Sequence, residues 1–173
     1  MTISMHRASV GVFVQFLGSL SDLLDHAAEH AKARKIDPAI LLNARLYPNM
    51  YSLTRQVGEA IRHAVLGCAL LAGVDPVTFP DGEPDILELK RRIATAIDFI
   101  GGLQPAEING SGRKEVVFTF KNGTTRKFTG QSLLLTLSVP QFFFHVTTAY
   151  DILRHCGVDL VKKDFLGAPR PED

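Results

Sequence analysis

The sequence has 173 residues, 46 % of them hydrophobic, with 19 basic residues against 18 acidic ones and a formal net charge of +1. This length fits one domain, residues 1–173, with a substantial core. The balanced charge gives no general attraction to nucleic acid or to an anionic membrane. No apolar run reaches the ~20 residues of a membrane span, and the N-terminus lacks the layout of a secretory signal. Two cysteines within apolar patterns indicate reduced core thiols, so we expect a cytoplasmic protein.

Three segments carry apolar residues at helical spacing and are predicted to be amphipathic helices: residues 4–33, 51–72 and 85–101. Between the first two, Asp37 followed by Pro38 predicts a short helical turn with Asp37 as its N-cap. Three small residues of the second helix, Ala60, Ala64 and Gly67, predict that a neighbouring backbone approaches it closely. The segment after the second helix contains several prolines and glycines and is predicted to be a loop.

The sequence period changes from helical to alternating after the third predicted helix. Residues 115–120 alternate between polar and apolar side chains, and residues 124–128 return after Asn122-Gly123, a strong hairpin signal. A two-stranded ribbon is only marginally stable alone, so we expect it to pack on the helices.

The most apolar segment, Thr129 to Gly157, is predicted to be a long last helix. Thr129 can cap its start, and Gly157 can adopt the left-handed conformation that ends it. Pro140 lacks a backbone donor, so the helix is expected to kink or restart there. At ~100° per residue, Gln141 and His145 fall on its core-facing side. The sum is a mainly all-α fold, a four-helix bundle with a small β-hairpin before the last helix.

His63 and His145 are the strongest candidates for chemistry, because metal sites in bundles are built from side chains on facing helices. Two neutral imidazoles with a third ligand and an open position are typical of catalytic zinc or nickel sites, and Gln141 offers an amide oxygen. The competing interpretation is a buried histidine that is hydrogen-bonded to a neighbour.

Other candidate groups have simpler explanations. His26 and His30 are four residues apart, but they lie off the apolar stripe and are interpreted as solvated surface. The basic residues of the hairpin are interpreted as an exposed edge, although such patches can bind phosphate or nucleic acid. Cys68 and Cys156 are interpreted as core residues and not as nucleophiles.

Two stretches carry a family resemblance: F-H-V-T-T-A-Y-D-I-L-R-H-C-G-V with K-K-D-F-L-G after it, and A-R-L-Y-P-N-M-Y-S-L-T-R-Q-V near Tyr47. They resemble an uncharacterised domain-of-unknown-function branch of the DinB/YfiT-like superfamily. The resemblance covers nearly the whole chain. It implies a four-helix bundle, often dimeric, and in many members a divalent metal on three histidines.

The metal ligands that the resemblance implies are incomplete in this sequence. His63 matches the histidine of the second helix, and His145 matches the second of the paired histidines on the last helix. The first of that pair falls on Gln141, or, with the register shifted, Ala149 stands at the missing position. We therefore expect no bound metal, although zinc or nickel stays open.

Two functions follow as expectations. The first is a metal-free or degenerate-site member that acts as a dimeric binding or structural protein. The alternative is a divalent-metal-dependent transferase or hydrolase with a pocket between the second and last long helices. Expected partners are a second copy of the chain and a small molecule, with no nucleic acid and no membrane.

Overall fold

The computed structural model describes residues 3–82 and 84–168, and within them four long helices form a bundle. These are α1 (Val12–Arg34), α3 (Leu53–Ala72), α4 (Ile86–Gly102) and α7 (Val139–His155). The short helices are α2 (Pro38–Asn43), α5 (Pro105–Asn109), α6 (Gly130–Leu133) and α8 (Lys162–Leu166). The strands are β1 (Glu115–Thr119) and β2 (Thr125–Thr129). The predicted bundle with a hairpin before its last long helix is confirmed.

Capping side chains determine where several helices begin. The Asp37 carboxylate accepts a hydrogen bond from the backbone N–H of Ala39 at 2.9 Å, directly before Pro38. Thr129 Oγ1 accepts one from the N–H of Ser132 at 3.2 Å, as its sequence position predicts. Each bond satisfies a backbone donor that the first helical turn leaves without an intrahelical partner.

The last helical run differs from a simple kink. A π-helical turn, Leu134–Ser138, joins α6 to α7, and Pro140 lies at the start of α7. Because Pro140 cannot donate to a carbonyl four residues earlier, the irregularity falls just before it. A second π-helical turn, Arg7–Gly11, precedes α1, where continuous α-helix was predicted.

Helix α3 is the centre of the bundle and packs against both α7 and α4. Its contact with the helical run that contains α7 is close. A Cβ added at Gly67 would lie 2.8 Å from Ser138 Oγ, so the small residue is required there. The close approach at Gly67 is made by the side chain of Ser138, whereas a neighbouring backbone was predicted. Phe13 of α1 and Phe142 of α7 meet edge-to-face with ring centroids 4.9 Å apart in the adjoining core.

The hairpin packs on the bundle through one face of β1. Val116 and Phe118 are buried, and they share a small apolar cluster with Leu133 of α6. The loop is closed by a bond from the N–H of Gly123 to the carbonyl of Phe120, and Gly123 has a φ of +81°. This left-handed residue turns the chain so that Lys121 lies at the hairpin tip.

The C-terminal segment is fixed to α1 by helix α8, which the sequence pattern did not predict. Phe165 of α8 packs beside Phe16 and Tyr150, with ring centroids 5.4 and 5.7 Å away. Ser19 Oγ donates to the backbone carbonyls of Asp164 and Phe165. Phe165 thus anchors the C-terminal segment against α1 and α7.

Among the described residues, one helical run, Gly130–His155, is long and apolar enough to cross a membrane by length and composition alone. It was not identified from the sequence as a candidate membrane span, because polar residues interrupt its apolar ones. This run contains α7, which packs against α3 in the bundle, and core helices of soluble proteins meet the same two criteria.

Candidate functional site

The interface of α3 and α7 brings the two histidines together. The imidazole rings of His63 and His145 are stacked, with centroids 5.6 Å apart and an interplanar angle of 12°. Both residues are buried, at 5 % and 6 % relative exposure. Two polar rings on facing helices therefore share one small polar region within an apolar interface.

Gln56 fixes the orientation and the tautomer of His145. Nδ1 of His145 lies 2.7 Å from Oε1 of Gln56, and Nε2 of Gln56 donates to the carbonyl of Tyr51 at 3.3 Å. Because an amide oxygen can only accept, Nδ1 of His145 must carry the proton. The other ring nitrogen, Nε2, is then the acceptor that His145 offers to a ligand.

Glu59 is the acidic group of the site, and the sequence analysis missed it. It lies one helical turn before His63 and is buried, with its Oε2 4.0 Å from Nε2 of His63. Lys121, from the hairpin tip, forms an ion pair with Oε1 of Glu59. Nε of Arg62 donates to Oε2 at 3.0 Å, and Nε of Arg55 lies 4.0 Å from Oε1. Both carboxylate oxygens are thus bonded to cations.

The environment sets the charges of these groups. Burial lowers the pKa of His63 to about 4, and the positive charge of Arg62 acts in the same direction. Burial also lowers the pKa of His145, so both imidazoles are neutral near pH 7. Burial alone would raise the pKa of Glu59, but hydrogen bonds from Lys121 and Arg62 outweigh it and hold that pKa below its ordinary value.

The cluster opens into a small pocket between α3, α7 and the hairpin, with a volume of about 260 Å³. The polar groups in its lining include Gln141, the predicted third donor, which is half-buried. The pocket is lined by Tyr51, Glu59, Arg62, His63, Phe118, Phe120, Lys121, Leu137, Gln141 and His145. The three predicted site residues thus lie around one opening, together with the missed residues Glu59 and Lys121.

The other candidate groups lie elsewhere. His26 is exposed on α1, in a surface groove of about 910 Å³ that α1 forms with α8. Burial raises the pKa of the Cys68 thiol to about 12 and also raises that of Cys156, which does not favour either as a nucleophile.

A divalent metal, which the family resemblance implies, can be tested against these residues. The donor types are suitable: one ligand atom from each of Glu59, His63 and His145 lies within 4.8 Å of the others. The charges are not suitable, because Lys121 and Arg62 hold both oxygens of Glu59. In addition, Nη2 of Arg62 lies 3.4 Å from Nε2 of His63, the ring nitrogen that is 4.0 Å from Oε2 of Glu59. The set as arranged does not fit a resident divalent metal.

Comparison with solved structures agrees with the bundle and its hairpin. A crystal structure described as a DinB family member protein from Shewanella denitrificans superposes with a TM-score of 0.87. The two sequences are 32 % identical, and the match covers 97 % of this chain and 94 % of that one. The fold and its similarity to this structure thus define a DinB-like helical-bundle protein.

The family can be given more narrowly. The family model described as domain of unknown function DUF1993 matches residues 5–166, and the chain belongs to that family. This confirms the predicted DinB-like branch of unknown function. No curated protein matches the chain.

Proposed function

We propose that the chain is a metal-independent small-molecule-binding protein, and that its site is the pocket between α3 and α7. The observation that carries this proposal is the neutralised carboxylate: Glu59 is bonded on both oxygens by Lys121 and Arg62. The ammonium group of Lys121 therefore occupies a carboxylate oxygen of Glu59 that a metal ion would need as a ligand. The remaining polar groups, above all Nε2 of His145, can bind an organic ligand.

The shape of the site supports binding over a purely structural role. The pocket combines a few convergent polar groups with aromatic walls, which is the usual composition of small-molecule sites. The buried pair Gln56 and His145 holds its polar atoms in fixed positions before any ligand arrives. A site whose groups are already ordered loses less conformational entropy on binding.

Metal analysis and zinc titration of the purified protein test the proposal. We expect much less than one metal ion per chain in the wild type, and the same in His145→Ala. The variant Lys121→Met is expected to bind zinc more tightly than the wild type, because it removes one cation from Glu59. Lys127→Met removes a lysine of the same hairpin that pairs with Glu115, and it should leave zinc affinity unchanged.

One stoichiometric, tightly bound metal in the wild type that His145→Ala removes would overturn the proposal. That result would support the second candidate, a divalent-metal-dependent transferase or hydrolase. The observation in its favour is the close approach of ligand atoms from Glu59, His63 and His145. The Gln56–His145 hydrogen bond also resembles the arrangement that orients many metal-binding histidines.

The proposal also covers assembly and location: the chain is a cytoplasmic protein that forms homodimers through helix faces. Support comes from the family resemblance and from large apolar side chains on helical segments that are more than half exposed, among them Leu87, Leu135 and Phe144. Light scattering at several protein concentrations tests this, and a strict monomer throughout would remove the dimer from the proposal.

A further inference from the structure

We infer that the pocket binds a small organic anion, a carboxylate or a similar monoanion with an apolar ring or short chain. The inference rests on the proposed function and names the chemical class of its ligand. It starts from the charges around the pocket and not from the histidines.

Positive charge exceeds negative charge at this site. Among the described residues at the cluster, Lys121, Arg62 and Arg55 stand against the single carboxylate of Glu59. Arg55 is held in place over the ring of Tyr51, with its guanidinium carbon 4.1 Å from the centroid. The site thus carries a net positive charge while both neighbouring imidazoles are neutral, and an anion entering the pocket meets an attractive potential.

The cations still have donors to offer. Arg62 uses Nε toward Glu59 and Nη2 toward His63, whereas a guanidinium carries five N–H groups. Lys121 carries three N–H groups, and its pairing with Glu59 requires one of them. Both side chains are partly exposed, at 34 % for Arg62 and 49 % for Lys121, so their remaining donors are accessible from the pocket.

A cationic ligand would face the opposite situation. Its natural partner, Glu59, is already paired, and the ligand would have to displace Lys121 from a contact that the hairpin holds in place. An incoming anion needs no such displacement and adds a second partner to each cation. Burial is the main cause of the low pKa of His63 and of His145; the positive charge of Arg62 lowers both further, and the negative charge of Glu59 opposes it.

The walls and the volume limit the rest of the ligand. Tyr51, Phe118, Phe120 and Leu137 provide an apolar lining beside the charged groups. The volume of about 260 Å³ is slightly smaller than the ~300–1,000 Å³ of pockets for drug-sized molecules. A single ring or a short chain behind the charged group therefore suits the space.

Calorimetric titration with three probes of one size tests the inference: benzoate, benzyl alcohol and benzylammonium. In metal-free wild-type protein at low salt, benzoate should bind most tightly, and added NaCl should weaken it. Lys121→Met should weaken benzoate binding about three- to tenfold, the range for a partly exposed charge-assisted contact. The matched control Lys127→Met should bind as the wild type does. Glu59→Gln should strengthen benzoate binding, because it removes the competing carboxylate.

Three results would each overturn the inference: benzoate binding no more tightly than benzyl alcohol, benzylammonium binding most tightly, or none of the probes binding at millimolar concentration. Circular dichroism and the histidine ring signals in NMR spectra verify that every variant is folded. Failure here is distinguishable from failure of the proposed function. A stoichiometric metal ion bound to the wild-type protein and lost in His145→Ala refutes the proposed metal-independent function. Equal binding of benzoate and benzyl alcohol to a metal-free protein refutes only the preference for an anion.

Discussion

Replacing Gln56 with leucine removes the hydrogen bond that fixes His145. Leucine is close to glutamine in size, so the main change is the loss of an amide oxygen 2.7 Å from Nδ1 of His145. Gln56 is 1 % exposed and His145 is 6 % exposed, so water cannot easily replace the lost partner. A buried donor without a partner costs about 1–3 kcal/mol, and we expect Gln56→Leu to lower the free energy of unfolding by that amount.

A double-mutant cycle separates the hydrogen bond from packing. Replacing His145 with phenylalanine removes the buried donor, so Gln56→Leu should cost clearly less in that background than in the wild type. Urea unfolding at pH 7 gives the four free energies. Nitrogen-15 NMR of the imidazole should show the proton on Nδ1 in the wild type and partly on Nε2 in Gln56→Leu. A cost below about 0.5 kcal/mol together with an unchanged tautomer would refute the reasoning.

Three further predictions concern stability. Gly67→Ala should destabilise the protein by about 1–3 kcal/mol, because the added methyl group clashes with Ser138. The control Gly58→Ala, where the added methyl group meets open space, should stabilise the protein by up to about 1 kcal/mol. Equal urea midpoints for the two variants would contradict this prediction. Because His63 has a pKa of about 4 when folded and about 6.5 when unfolded, the unfolded chain binds more protons between these values. His63 should therefore lower the unfolding free energy by up to about 3 kcal/mol from pH 6.5 to 4. Urea unfolding of His63→Leu, measured in parallel, should lack this contribution and keep a slope of the same sign from His145, whose pKa burial also lowers. Phe165→Ala should increase amide exchange in α8 without changing exchange in the bundle core, since its ring provides much of the contact of α8 with the bundle; unchanged exchange in α8 would count against it.

The helices and the hairpin could be predicted because their signals are local. Asp37, Thr129 and Gly123 mark helix starts and a turn through the chemistry of a few neighbouring residues. The π-helical turns and helix α8 could not be predicted in this way. The turn before Pro140 depends on how the whole last helix fits against α3, and α8 is held by contacts to Ser19, about 145 residues away.

The site was predictable in part. His145 stands out as a histidine on an apolar helix face, and His63 lies opposite it as predicted. Glu59 carried a usable signal, since it precedes His63 by one helical turn on the same face of α3. Lys121 was weighed only as part of the hairpin's basic patch, because a lysine at a hairpin tip is normally interpreted as an exposed, solubilising residue.

The sequence by itself determined the four long helices, the hairpin and the inward direction of His145, because helical and strand periods are properties of neighbouring residues. Only the tertiary structure decided the chemistry at the pocket. Gln56 meets His145 across 89 residues, and Lys121 meets Glu59 across 62. These pairs arise from the packing of separate elements: they place cations on both carboxylate oxygens of Glu59 and leave Nε2 of His145 as a hydrogen-bond acceptor. Charge at a buried site depends on such long-range neighbours, which no local pattern records.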